Sequence, residues 1–411
     1  MGATVPARTP QGAGSRGYRV GVTPEPPHQT PAIPLAGHRV HAHTCGQEVA
    51  TGEELDALLA QVEDGLRTLY RVALEDLDLR PFAARLLALP LPALRGLVLF
   101  GGQVPAPLRD HLLAAGATLF PAIPDAPVAP YRGHAYTAGE LFAGLDRGYE
   151  QTPDARAYAW FRNERLEGDA YVSLLRAIHD DSMVDALIDP LAGRSVVGVM
   201  GGHSLARGTA NFAAAAGLGH TLAQAGHVVL TGGGPGAMEA ANLGALAPTA
   251  GALARALEVV GEVPSFEDVE AWARAGFAAR AEWDEPADLR SVGIPTWFYG
   301  HEPPNVFGQL VAKMFSNALR EDVLLAQSTA GLVVLPGAAG TVQEIFQVAT
   351  RLYYATPGSE LGALVLVGRE HWTHRLPAWP LLQALGADRD MGTVLHLVDS
   401  VEEAAELIGP A

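Results

Sequence analysis

Short apolar runs alternate with helix-like segments through the second half of the chain. The runs are rich in Val, Leu and Ile, and apolar residues recur at helical spacing in the segments between them. This alternation is typical of a parallel sheet covered by helices on both faces, so we predict an α/β fold with a doubly wound parallel sheet. The predicted strands are residues 195–200, 228–231, 291–297, 332–335, 363–367 and 394–398.

The first half of the chain predicts a smaller N-terminal α/β domain. From Gly52 to Tyr70, apolar residues fall on one face of a helix, and a β-α-β unit follows. The remaining predicted elements are a strand at residues 94–100, a helix at 107–115, a strand at 117–120 and helices over about 137–189.

Composition shifts predict how the chain divides. Residues 1–36 are rich in Pro, Gly, Thr and Arg without periodicity, which predicts a disordered tail. Pro190 and Gly193 mark a break between two domains. We therefore predict an N-terminal α/β domain at residues 37–190 and a second domain at 191–411. A regulatory role for the first domain is left open.

The composition narrows the class of protein. Hydrophobic residues make up 48% of the chain and charged residues 18%, without an apolar run long enough to span a membrane. A formal net charge of −17 argues against a nucleic-acid surface, because phosphate backbones are held by clustered cations. Cys45 is the only cysteine and the start lacks a secretory signal, so we expect a cytoplasmic protein that binds neither nucleic acid nor membrane.

Two glycine-rich turns carry the candidate chemistry. Residues 232–236 follow the strand at 228–231, and residues 336–341 follow the strand at 332–335. Such turns leave backbone N–H groups free to bind an anion, at the strand ends where ligands of these sheets lie. Glu344 follows the second turn, and we place it in the first turn of its helix. The alternatives are a tight connection without a ligand and a carboxylate that only favours the helix end.

Other nucleotide and metal motifs are missing from the sequence. Lys313, the only lysine, follows Ala312 in a predicted helix and lacks the glycine of a P-loop. The first turn of the large domain also departs from the dinucleotide fingerprint. His179 with its two following aspartates, and His371 with His374, resemble metal ligands but lack a matched third group, so we predict solvated helix faces there.

Four motifs in order resemble one enzyme family. In chain order they are Gly201-Gly-His-Ser204, Gly232-Gly-Gly-Pro-Gly-Ala-Met238, Glu302-Pro-Pro-Asn305 and Pro336-Gly-Ala-Ala-Gly-Thr-Val-Gln-Glu344. Over roughly residues 194–370 the chain resembles the LOG family of nucleotide phosphoribohydrolases, which have a Rossmann-like fold. It looks closest to the larger bacterial members, which are nucleotide 5′-monophosphate nucleosidases with an extra N-terminal domain.

The resemblance implies roles for particular residues. It makes Glu344 catalytic. The family also has a catalytic arginine, and its position is occupied by Glu321 in this chain. Either the neighbouring Arg320 supplies that group or the chain has lost it. Ala338 also replaces a glycine of the motif. The implied substrate-binding residues are Gly201, Gly202, His203, Ser204, Gly233, Gly234, Gly236, Met238, Glu302, Asn305, Pro336, Gly337, Gly340 and Thr341.

The activity implied is hydrolysis of the N-glycosidic bond of a nucleoside 5′-monophosphate, which releases the free base and ribose 5-phosphate. The expected partner is that nucleotide, without a metal or cofactor, and the resemblance implies a homodimer or larger homo-oligomer. The alternative is a catalytically silent protein of the same fold that binds or senses a nucleotide. Loss of the arginine would favour this second function.

Overall fold

A computed structural model describes residues 47–120, 126–299 and 302–411, which form two parallel sheets. The smaller sheet has the strand order β1-β2-β3-β4, and the larger has the order β11-β10-β9-β5-β6-β7-β8. The strands are β1 (Gln47–Val49), β2 (Val72–Glu75), β3 (Val98–Phe100), β4 (Thr118–Phe120), β5 (Val196–Met200), β6 (Val228–Thr231), β7 (Ser291–Gly293), β8 (Leu310–Val311), β9 (Gly331–Val334), β10 (Ala363–Val367) and β11 (Leu395–Val398).

Helices connect and cover these strands. The α-helices are α1 (Gly52–Glu63), α2 (Ala83–Ala88), α3 (Leu91–Leu94), α4 (Ala106–Ala115), α5 (Ala138–Leu141), α6 (Pro153–Phe161), α7 (Ala170–Leu191), α8 (Ala210–Gln224), α9 (Ala237–Leu246), α10 (Ala250–Gly261), α11 (Val269–Arg280), α12 (Asn317–Gln327), α13 (Ala339–Tyr353), α14 (Ala378–Gly386) and α15 (Val401–Ile408). Short 3-10 turns occupy Leu145–Arg147, Tyr149–Gln151, Glu164–Leu166 and Asp390–Val394, and a π-helical turn occupies His371–Arg375.

The larger sheet confirms the predicted α/β fold. Its central strands β5, β6 and β9 are buried throughout, because helices cover both faces, as in other parallel sheets. The chain runs outward from β5 through β6, β7 and β8, and then returns to β9 on the other side of β5. The strand order therefore reverses between β5 and β9, where the loops at their carboxyl ends diverge and leave a crevice.

Some predicted elements differ from those observed. The predicted strand at residues 291–297 ends at Gly293, shortly before Pro295, which has no N–H for the ladder. The predicted helix from Gly52 to Tyr70 ends at Glu63, because Gly65 adopts a left-handed conformation, and Tyr70 is exposed. The predicted strand at 94–100 begins only at Val98. Strands β1 and β8 were not predicted because they have only three and two residues, and β2 was not predicted because it follows directly on the segment assigned to a helix up to Tyr70.

The hydrophobic cores divide between Ala117 and Val128. Residues from Val49 to Ala117 form the core of the smaller sheet, whereas α5, α6 and α7 pack into the core of the larger one. This division lies upstream of the predicted domain break at residue 190, and the domain limits remain a prediction. The predicted tail at residues 1–36 and Cys45 lie outside the described residues. Within the described ranges, no helix is both long and apolar enough to span a membrane.

Candidate functional site

A cleft of ≈ 1040 Å³ opens where the strand order reverses. The loop after β5 and the loop after β9 form its floor, joined by a hydrogen bond of 3.1 Å from the Gly202 N–H to the Pro336 carbonyl. The following residues from the sequence prediction line this cleft: Gly201, Gly202, His203, Ser204, Met238, Glu302, Arg320, Pro336, Gly337, Gly340, Thr341 and Glu344.

The second glycine-rich turn opens directly onto the cleft. Ala338 occupies the N-cap of α13 without a side-chain hydrogen bond, so side chains do not cap the first N–H groups of this helix. Gly337 is required here because a Cβ would lie 2.2 Å from Thr341 Oγ1. Ala338 has an extended backbone that any residue tolerates, and its exposed methyl faces the cleft side of the turn. The turn is therefore arranged to receive an anion.

The first glycine-rich turn lies beneath the cleft, which corrects the expectation that both turns face one anion. Gly233, Gly234 and Gly236 are buried and do not line the cleft. The Gly233 N–H donates to Thr231 Oγ1 at 2.9 Å. The N–H of Ala237, which begins α9, donates to the Gly202 carbonyl at 3.2 Å. One donor therefore closes the turn on its own strand, and the other holds the neighbouring loop in place.

Asn305 also supports the first turn from below instead of lining the cleft. Its amide nitrogen donates to the Gly234 carbonyl at 3.1 Å and to Asn242 Oδ1 at 2.9 Å. Asn242 in turn accepts a hydrogen bond of 2.6 Å from Thr231 Oγ1. The sequence analysis missed this buried network, because Asn242 lies within an otherwise apolar helix and has no motif to mark it.

Arg320 and Glu344 face each other in the wall of the cleft. Arg320 Nη1 lies 3.2 Å from Glu344 Oε1, and the two side chains are only 7% and 12% exposed. Burial raises the pKa of Glu344 above its usual value, and the charge of Arg320 partly opposes this shift. Because α13 begins at Ala339, Glu344 lies in the second turn of this helix, which corrects the prediction that it lies in the first turn.

Glu321 lines the same wall but points to a different set of partners. Its carboxylate accepts hydrogen bonds of 2.6 Å from Asn317 and of 2.6 Å from Gln343. Asn317 also donates to the hydroxyl of Tyr299, an aromatic residue at the mouth of the cleft that the sequence analysis did not select. The helix thus presents Arg320, and not Glu321, to Glu344.

His203 and Glu302 form a second pair in the lining of the cleft. His203 Nδ1 lies 3.1 Å from Glu302 Oε1, with the imidazole 57% exposed and the carboxylate 20% exposed. A Cβ on Gly234 would lie 3.6 Å from the other oxygen of Glu302, so this carboxylate extends over the first turn. Met238 fills the space beside the same turn, where a Cβ on Gly232 would lie 2.7 Å from its sulfur.

Lys313 lies in the loop after β8, which corrects its placement in a helix. Its ammonium is buried and lies 2.6 Å from Asp154 Oδ1. The same carboxylate accepts hydrogen bonds of 2.8 Å from Trp297 and of 2.8 Å from Tyr149. Lys313 also donates to the backbone carbonyl of Glu302 at 3.4 Å. The lysine therefore anchors the segment that carries Glu302.

The predicted solvated histidine faces are wrong in two places. His179 and Asp180 are buried, and Asp180 accepts hydrogen bonds from the backbone N–H groups of Phe315 and Ser316 at the start of α12. His371 is half-buried and its Nε2 lies 3.0 Å from the Gly337 carbonyl. Within the described ranges, no group of three or more His, Cys, Asp or Glu residues is arranged to hold a metal ion.

The class of protein follows from the fold and the cleft together. A Rossmann-like sheet with an open helix N-terminus at its reversal point is typical of proteins that handle nucleotides. The model of the SLOG cluster4 family, one of a group of Rossmann-like nucleotide-handling families, matches residues 194–268 of this chain. The match contains β5, β6 and the first glycine-rich turn, and it ends before Arg320 and Glu344. No curated protein matches the chain.

Proposed function

We propose that the protein hydrolyses the N-glycosidic bond of nucleoside 5′-monophosphates and releases the free base and ribose 5-phosphate. The family match supports a nucleotide-related function in general. The more specific proposal rests on one observation, which is the buried pair of Arg320 and Glu344 beside the open N-terminus of α13. We also propose that the protein acts as a homodimer or larger homo-oligomer without a metal or cofactor.

The reaction needs a negative charge beside the ribose. Breaking the glycosidic bond develops positive charge at C1′, and a nearby carboxylate stabilises that charge and orients the attacking water. Glu344 is the candidate for this group, because it lies in the wall of the cleft with one oxygen held by Arg320. The N–H groups at the start of α13 would bind the 5′-phosphate and so position the ribose.

Arg320 has a donor to offer the substrate. Its Nε is buried and has no hydrogen-bond partner within the described residues, although its Nη1 contacts Glu344. A buried guanidinium donor without a partner costs free energy that a ligand oxygen would recover. Arg320 is therefore the candidate for contacting the substrate, which the spacing of the sequence motif alone had left open.

The test is base release from AMP, GMP, CMP, UMP and IMP, measured by chromatography. We expect turnover by the wild type, and a loss in kcat of about 10²-fold or more in Glu344→Gln, which keeps the shape but not the charge. Glu258→Gln is the matched control, because Glu258 lies on the exposed face of α10. Tight nucleotide binding without turnover by the wild type would instead support the sensing protein and contradict the proposed hydrolysis.

A further inference from the structure

The pair of His203 and Glu302 is a second set of ionisable groups in the cleft, apart from Arg320 and Glu344. Glu302 Oε1 contacts the imidazole through Nδ1, at 3.1 Å. A carboxylate at one ring nitrogen orients the imidazole, and it leaves Nε2 available for a reacting group. The His203 side chain is 57% exposed, so its imidazole lies at the solvent side of the cleft.

Glu302 is fixed in place from two sides. Its carboxylate lies over Gly234 of the first glycine-rich turn, and its backbone carbonyl accepts a hydrogen bond from Lys313. Lys313 is held by Asp154, and both side chains are almost fully buried. A carboxylate carried by such an anchored segment can hold the imidazole in one orientation, which a catalytic histidine requires.

The proposed reaction needs a group that protonates the leaving base, and Arg320 and Glu344 do not provide one. A base leaves as an anion unless it is protonated, and Arg320 cannot supply the proton because guanidinium groups stay charged. Glu344 is assigned to the attacking water, for which it must be ionised. The Glu302 carboxylate also raises the pKa of Glu344, so the two pairs interact electrostatically. The cleft contains a second histidine, His371, but its Nε2 contacts the Gly337 carbonyl, whereas the imidazole of His203 is exposed to the cleft, so His203 is our choice to serve the departing base.

We propose that His203, oriented by Glu302, is the general acid that protonates the leaving base, an inference that rests on the proposed function. The bond between C1′ and the base nitrogen breaks, and its electron pair goes to the base. His203 Nε2 gives its proton to the base while the water oxygen bonds to C1′ and releases a proton to Glu344. Solvent then returns a proton to His203 and removes one from Glu344.

The test compares GMP with 7-methyl-GMP, whose base already carries a positive charge and leaves without an acid. We expect His203→Asn to lower kcat for GMP by about 10²-fold or more and to change kcat for 7-methyl-GMP by far less. Glu302→Gln is expected to show the same selective loss to a smaller degree. Glu344→Gln is the comparison variant, since it should impair both substrates alike.

The pH profile provides a second readout. With GMP, the wild-type profile of kcat should have a limb that falls toward high pH, because a general acid must carry its proton, and His203→Asn should lack this limb. Equal losses on the two nucleotides, or a change in KM alone, would show that His203 only binds the substrate and would overturn the inference. Base release from neither nucleotide by the wild type would count against the proposed function itself.

Discussion

Arg320 and Glu344 illustrate how burial sets the properties of a single pair of residues. Both side chains are almost excluded from solvent, so the carboxylate is stabilised mainly by the one guanidinium that it contacts. Removing one partner of such a pair leaves an uncompensated charge, which costs about 3–5 kcal/mol in buried examples. The proton affinity of Glu344 therefore depends directly on Arg320.

This dependence predicts a pH profile for the proposed reaction. Glu344 must be ionised, and its pKa is raised, so kcat/KM should increase with pH through a value above the usual glutamate pKa of about 4.3. Arg320→Gln removes the charge that lowers this pKa, and should move the acid limb to higher pH. Initial rates from about pH 4, near the usual glutamate pKa, to about pH 8 check this. An acid limb at the ordinary glutamate value would contradict it.

At the scale of elements, two helices approach so closely that glycine is required at their contact. A Cβ on Gly219 of α8 would lie 2.1 Å from the Ala241 carbonyl oxygen of α9, and a Cβ on Gly244 would lie 1.8 Å from that of Ala216. Gly217, in the same helix α8, has open space at its Cβ position. The two glycines of α8 thus have different physical roles.

We predict opposite effects on stability when each glycine of α8 is changed to alanine. Gly219→Ala should lower the free energy of unfolding by about 1–3 kcal/mol, because backbone must shift to admit the methyl group. Gly217→Ala should leave it unchanged or raise it by about 0.4–1 kcal/mol, since alanine restricts the unfolded chain. Urea denaturation of both variants measures this. Equal losses would mean that the helices do not pack as closely as described.

The elements were more predictable than the contacts between them. Strands such as β6 and β10 are buried on both faces, so each is a nearly continuous apolar run in the sequence. The ends of the run predict the ends of the strand. The direction of Arg320 was not predictable, because one residue along a helix changes the facing direction by about 100°. It depends on where Ser316 begins α12, and Asp180, distant in sequence, binds the backbone there.

At the scale of the whole molecule, the helices before residue 191 complete the surroundings of the cleft. Asp154 at the start of α6 holds Lys313, and Asp180 in α7 binds the backbone at the start of α12. Neither aspartate lies in the cleft, but each fixes a segment that reaches it through Glu302 or Arg320. These helices therefore hold residues of the candidate site in position, in addition to packing into the core of the larger sheet.

The buried pair of Asp154 and Lys313 predicts unequal effects of two conservative substitutions. Asp154→Asn should destabilise the protein more than Lys313→Met. The first removes the only negative charge paired with a buried ammonium in the described residues, whereas the second leaves a carboxylate that still accepts from Trp297 and Tyr149. The free energy of unfolding in urea gives the order. Greater loss in Lys313→Met would refute this account of the pair.

The placement of Lys313 has a practical consequence for labelling. The chain has no other lysine, and this one is 2% exposed, so acylating reagents find their single target side chain shielded in the folded state. Covalent modification of Lys313, read by mass spectrometry, would therefore time the opening of the segment beside Asp154. The folded molecule contains its own reporter of that motion, with no dye or tag introduced.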